Sequence, residues 1–144
     1  MAAKLILADP LGIAEASRAL REGHVVGMPT ETVYGLAADA FNVTALARVF
    51  EAKERPTFDP LIVHVAPDPG LGAVDALVRL GLVDEARLTP TMRARVEKLA
   101  EAFWPGPLTM ILPKAAGVPD LVTSGLPSVG IRAPRHPAAR ALIL

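Results

Sequence analysis

His24-Val25-Val26-Gly27-Met28-Pro29-Thr30-Glu31-Thr32-Val33-Tyr34-Gly35-Leu36-Ala37 reads as a short buried strand that runs straight into a polar loop. The strand is His24 to Met28. Pro29 stops it, because proline has no N–H to give to a ladder. Upstream, Asp9-Pro10 has the form of an N-cap followed by the first helical position, with Leu11, Ala14 and Leu20 at helical spacing and Gly23 as the stop. Helix, strand and ligand-sized loop in succession are the unit of an α/β fold, whose ligands gather at strand ends.

The same alternation continues downstream. Asn42 or Thr44 caps a second predicted helix with the stripe Leu46, Val49, Phe50, and Lys53 falls at the next position of that stripe. Leu61 to Val65 reads as a strand interrupted by His64. Residues 66–88 are the least legible, with a helix expected near 73–80. Thr89-Pro90 opens a helix with Met92, Val96, Leu99 and Phe103 on one face, and Trp104-Pro105-Gly106-Pro107 ends it. Leu108 to Leu112 and Ser128 to Ala133 are strands, and Ala138 to Leu144 is the start of a helix. That apolar ending predicts a chain whose remainder lies elsewhere.

Composition narrows the function classes. The 144 residues suit about one domain. Hydrophobic residues make up 51% and charged residues 21%, and mean hydropathy is +0.38, which excludes intrinsic disorder. With no cysteine, disulfides, thiolate nucleophiles, iron–sulfur clusters and cysteine zinc sites are excluded. No apolar run approaches the roughly 18 residues of a membrane span, and a cytoplasmic location with no membrane partner is expected. Fifteen basic residues balance fifteen acidic ones, unlike a protein held on nucleic acid chiefly by phosphate neutralisation. A phosphate loop, a dinucleotide turn, a nucleophile elbow and a zinc-protease motif are all missing. No local metal motif exists, because the three histidines are far apart in sequence.

Four segments carry candidate chemistry. The hydroxyls, carboxylate and phenol of Thr30 to Tyr34 suit a ligand loop or a capping turn. Lys53 and Arg55, in a loop stiffened by Pro56 and Pro60, suit a phosphate or simply favour the helix dipole. His64, on the face of Ile62, is either a satisfied structural group or a ligand contact. Arg132 shares a strand face with Ser128 and needs an anionic partner, either a carboxylate substrate or an Asp or Glu of the protein.

Taken in order, Pro29-Thr30-Glu31-Thr32-Val33-Tyr34-Gly35-Leu36, Lys53-x-Arg55-Pro56 with Pro60-Leu61, Trp104-Pro105-Gly106-Pro107-Leu108-Thr109 and Val129-x-Ile131-Arg132-x-Pro134-x-His136-Pro137 resemble the YrdC-like threonylcarbamoyl-adenylate synthase family. The resemblance covers nearly the whole chain and is weakest over 66–100. It implies an α/β fold, a twisted mixed sheet with flanking helices around a large cavity, as one domain over 1–144.

It also implies an enzyme, a nucleotidyltransferase that joins L-threonine, bicarbonate or CO2, and ATP into threonylcarbamoyl-AMP and pyrophosphate. Partner proteins then modify tRNA to N6-threonylcarbamoyladenosine. Carried over, Thr32, Tyr34, His64 and Arg132 bind threonine. Lys53 and Arg55 are catalytic and, with Asp59 and Ser128, bind the nucleotide. Mg2+ on the phosphates is expected, with no metal site of the protein's own. The alternative is a double-stranded RNA or tRNA-binding module without catalysis.

Two departures from the family pattern stand out. Glu54 and Asp59 occupy positions where the family commonly has Gly and Asn. The family's later Ser-x-Asn segment is missing from these residues, so the chain is expected to be C-terminally incomplete and inactive alone.

Overall fold

The computed structural model describes residues 3–54, 56 and 58–144. Its first helix, α1 (Pro10–Arg21), begins as expected: the Gly12 N–H donates to Asp9 Oδ1 at 2.8 Å, and Gly23 follows at φ +81°. Its inward face differs from expectation. Leu11 is 84% exposed, while Gly12 and Ala16 are buried. The cause is close approach by the preceding segment: a Cβ on Gly12 would lie 1.9 Å from the Leu7 carbonyl oxygen.

Strand β1 (Val26–Met28) pairs antiparallel with β2 (Gly35–Ala37), a strand not foreseen in the sequence. The Pro29–Tyr34 loop is therefore a hairpin tip. Helix α2 (Val43–Lys53) is capped by Asn42, whose side chain accepts from the Ala45 N–H at 3.1 Å, and it buries Leu46, Val49 and Phe50 as expected.

Three further strands form a mixed sheet in the order β3 (Ile62–His64), β5 (Ser128–Arg132), β4 (Thr109–Pro113), with β3 parallel and β4 antiparallel to the central strand. The predicted boundaries of these strands shift by a residue or so. Alternation buries Val63, Met110, Leu112, Val129 and Ile131 on one face. That face packs in one core with Leu46 of α2, Val74 and Leu77 of α3 (Ala73–Arg79), Val96 and Ala100 of α4 (Pro90–Phe103), and Val122 of the unforeseen α5 (Asp120–Thr123).

Helix α4 is rotated partly off its predicted face. Val96 is buried as expected, but Leu99 and Phe103 are 41% and 53% exposed, and Ala100 is buried in their place. Polar contacts to α3 set this rotation. Glu97 accepts from the Ala73 and Val74 N–H groups at 2.8 and 3.0 Å, and Arg93 pairs with Asp75. The final helix, α6 (Pro137–Ile143), packs on α1. Ala139 and Leu142 join Ala16 and Met28 in a second, smaller core that carries the β1–β2 hairpin.

No helix among the described residues is long and apolar enough to cross a membrane.

Candidate functional site

The two sheets flank a cavity of about 670 Å³. Its wall includes Thr30 and Gly35 of the hairpin, Lys53 of α2, Ile62 and His64 of β3, and Leu142 of α6. Much of the rest is aliphatic, so the few polar groups have little competition in orienting a ligand.

The mixed sheet brings three polar side chains into one row. In register, His64 lies opposite Arg132, and Arg132 lies opposite Thr109. All three fall on the face away from the main core, because they alternate with buried Val63, Ile131 and Met110. Arg132 Nε donates to Thr109 Oγ1 at 3.0 Å. Among the described residues no carboxylate lies within ion-pair distance of Arg132. The anionic partner that an arginine on an apolar strand requires is thus not a pairing side chain of these residues.

His64 Nδ1 lies 3.3 Å from the Ile62 carbonyl oxygen, while Nε2 is buried without a hydrogen-bond partner. Burial pushes the imidazole below its ordinary value, opposed by the Ile62 carbonyl, and the Arg132 charge lowers it further. Burial and Arg132 thus favour the neutral imidazole against the opposing Glu31 charge, and the ring has one nitrogen to offer.

The hairpin tip is held by its own side chains. Thr30 Oγ1 donates to the Val33 carbonyl at 2.6 Å and accepts from the Thr32 and Val33 N–H groups at 3.2 and 3.3 Å. Glu31 reaches across the molecule and accepts from the Arg135 N–H. Partial desolvation raises its carboxyl, but the Arg135 and His136 amides and the Arg132 charge outweigh this and hold it below the ordinary carboxylate value. The Trp104–Pro107 turn is fastened to the same region: Gly106 N–H donates to the Ala133 carbonyl at 2.8 Å and Arg135 Nε to the Pro105 carbonyl at 3.1 Å. A Cβ at Gly106 would lie 2.3 Å from the Phe103 carbonyl oxygen.

The residues predicted from the sequence are therefore gathered unevenly. Lys53 and His64 line the cavity, and Arg132 adjoins His64. Thr32 and Tyr34 lie on the exposed tip, Tyr34 78% exposed, outside the cavity wall. Ser128 shares Arg132's face at the far end of β5. Asp59 is exposed just before Pro60, which is in the wall. Arg55 lies outside the described residues. Thr109 and Arg135 were not singled out in the sequence, and Glu31 was read only as one polar group of its loop. Thr109 becomes visible only through sheet register, and Glu31 only through a contact 104 residues away in sequence.

Comparison with known proteins places the chain in a family. The Sua5–YciO–YrdC family model, described as "Telomere recombination", matches residues 18–144. The threonylcarbamoyl-AMP synthase of Pyrococcus abyssi is 44% identical over 124 residues, covering 86% of this chain and 32% of the relative. That of Bacillus subtilis is 45% identical over 132 residues, covering 91% and 34%. The chain thus spans about a third of the length of these relatives. The P. abyssi Sua5 structure complexed with L-threonine superposes with a TM-score of 0.78 at 42% identity, covering 97% of this chain and 36% of that one. E. coli YciO, at 24% identity and TM-score 0.66 over 90% of this chain and 56% of that one, shares the fold. With the family model spanning the chain from the last turn of α1 through α6, the chain belongs to the Sua5–YciO–YrdC family.

Proposed function

We propose that this chain forms the substrate pocket of an L-threonylcarbamoyladenylate synthase, which uses L-threonine, bicarbonate or CO2, and ATP in cytoplasmic tRNA modification. The observation that carries the reading is the His64–Arg132–Thr109 row beside a cavity with Lys53 in its wall. Its support is the family match and the L-threonine complex of a relative.

Each residue has a physical task in this reading. Arg132 takes the threonine carboxylate on the guanidinium nitrogens that Thr109 leaves uncommitted. Neutral His64 offers Nε2 to the amino acid, and Thr32 and Tyr34 border it from the hairpin tip. Lys53, with Arg55, neutralises the triphosphate, with Asp59 and Ser128 beside the nucleotide.

The threonine ammonium loses one proton to give the free amine, whose nitrogen adds to CO2, and a second proton leaves that nitrogen for solvent to give the carbamate. A carbamate oxygen then bonds to the α-phosphorus as the bond to pyrophosphate breaks. Carbamate is a weak nucleophile, so orientation and charge neutralisation supply most of the acceleration. Partner proteins carry the threonylcarbamoyl group onward to tRNA.

Among the described residues no group of three or more His, Asp or Glu could hold a metal ion. In this reading Mg2+ would come with the ATP phosphates and would neutralise part of their charge.

The test is pyrophosphate release by a chimera in which this chain replaces the matching third of the P. abyssi relative. Release that requires threonine, bicarbonate and ATP together is expected. Release without threonine, or none from a folded chimera, overturns the synthase reading. Steeply salt-dependent RNA binding without release would instead identify an RNA-binding module.

A further inference from the structure

The placement of the β1–β2 hairpin is the weak joint of the pocket. Each of its strands has only three residues, and a two-stranded ribbon has little stability of its own. The hairpin pairs with no strand of the mixed sheet. On its core side it is carried by Met28 in the small cluster with α1 and α6. At its tip, Thr30 organises the turn internally but reaches only Thr32 and Val33. The tip is tied to another part of the molecule by Glu31, whose carboxylate accepts from the Arg135 amide.

Arg135 follows Arg132 by three residues and ties itself to the Trp104–Pro107 turn through Pro105. The clasp therefore sits three residues along the chain from Arg132, the central member of the His64–Arg132–Thr109 row. The two charges act in opposite senses on His64, Arg132 lowering the imidazole and Glu31 raising it. Glu31 itself is exposed and adds nothing to either core, so core packing does not explain its cross-chain contact.

We propose that Glu31 is a positioning residue for the amino-acid pocket. Its carboxylate, bound at the Arg135 amide, fastens the Pro29–Tyr34 loop to the segment between β5 and α6, and so sets how tightly Thr32, His64 and Arg132 hold one amino acid. The inference rests on the amino-acid-binding reading of the pocket. Glu31 touches no reacting atom in this scheme; it acts through the loop.

The experiment uses the full chain and the variants Glu31→Ala and Glu31→Gln, with L-threonine and ATP titrated separately by calorimetry. Amide exchange at Arg135 is followed in parallel. Glu31→Ala is expected to weaken threonine binding about tenfold, a ratio equivalent to ~1.4 kcal/mol. ATP affinity and the thermal midpoint should stay unchanged, and Arg135 should lose exchange protection. Glu31→Gln keeps an acceptor oxygen and should recover part of the threonine affinity.

Equal threonine affinity in Glu31→Ala and the native chain overturns the proposal, as do parallel losses for threonine and ATP. If the native chain binds no threonine, the reading of the pocket fails. Exchange at Arg135 then decides the clasp: protection unchanged in Glu31→Ala overturns it, and protection lost upholds it.

Discussion

Glu54 closes α2 in the left-handed region, at φ 49° and ψ 33°. A Cβ is unwelcome there, and glycine is the usual residue at such a helix end. The family's common Gly at this position thus has a backbone reason, and this chain keeps a carboxylate there under strain. Glu54→Gly is expected to stabilise the protein by about 1 kcal/mol, read as a higher urea midpoint at unchanged slope. It also removes a negative charge next to Lys53, so ATP affinity should rise in the same variant. A lower urea midpoint would show that Glu54 makes a compensating contact. At the same scale, His64 was legible as a polar interruption of an apolar strand. Its unpartnered Nε2 was not, because that depends on what surrounds the ring rather than on sequence spacing.

Helix α3 lacks a side-chain cap of its own, since Gly72 occupies the N-cap. Glu97 supplies the cap from α4 through two backbone N–H groups. Glu97→Ala leaves both donors without this acceptor and should cost about 1–2 kcal/mol, the range for losing a helix cap. Faster amide exchange in α3, with β5 unaffected, would locate that loss, and uniform acceleration would contradict it. This contact also explains which elements could be read in advance. Helices with local caps, α1 and α2, were legible at their starts, and α2 in its stripe as well. The face of α4 was legible only at Val96, because Arg93 and Glu97 answer to partners on α3. Strand β2 was hidden because Gly35-Leu36-Ala37 has no alternation and gains its ladder only from β1. The motif residues of the pocket were legible as types in order, while their grouping depended on the parallel register of β3 with β5.

Across the whole molecule, the cations of the proposed site come from parts that share no sheet. Lys53 lines the cavity from the end of α2, whereas Arg132, outside that lining, stands beside His64 on the central strand of the mixed sheet. The lysine faces the cavity as one flexible ammonium, suited to a spread of phosphate charge. The arginine is held by Thr109 and presents a planar fork suited to a single carboxylate. If one cavity serves two ligands side by side, removing each cation should harm a different ligand. Lys53→Ala is expected to weaken ATP binding about tenfold or more with little change for L-threonine. Arg132→Ala should do the reverse, since loss of a charged hydrogen-bonding partner costs on the order of 1.5–3 kcal/mol. Separate calorimetric titrations of each variant measure this directly. Unchanged urea midpoints confirm that the fold survives, as expected for Lys53, which is exposed at a helix end. Equal losses for both ligands in Arg132→Ala would mean that the strand positions the pocket as a whole and that the guanidinium has no carboxylate of its own to hold.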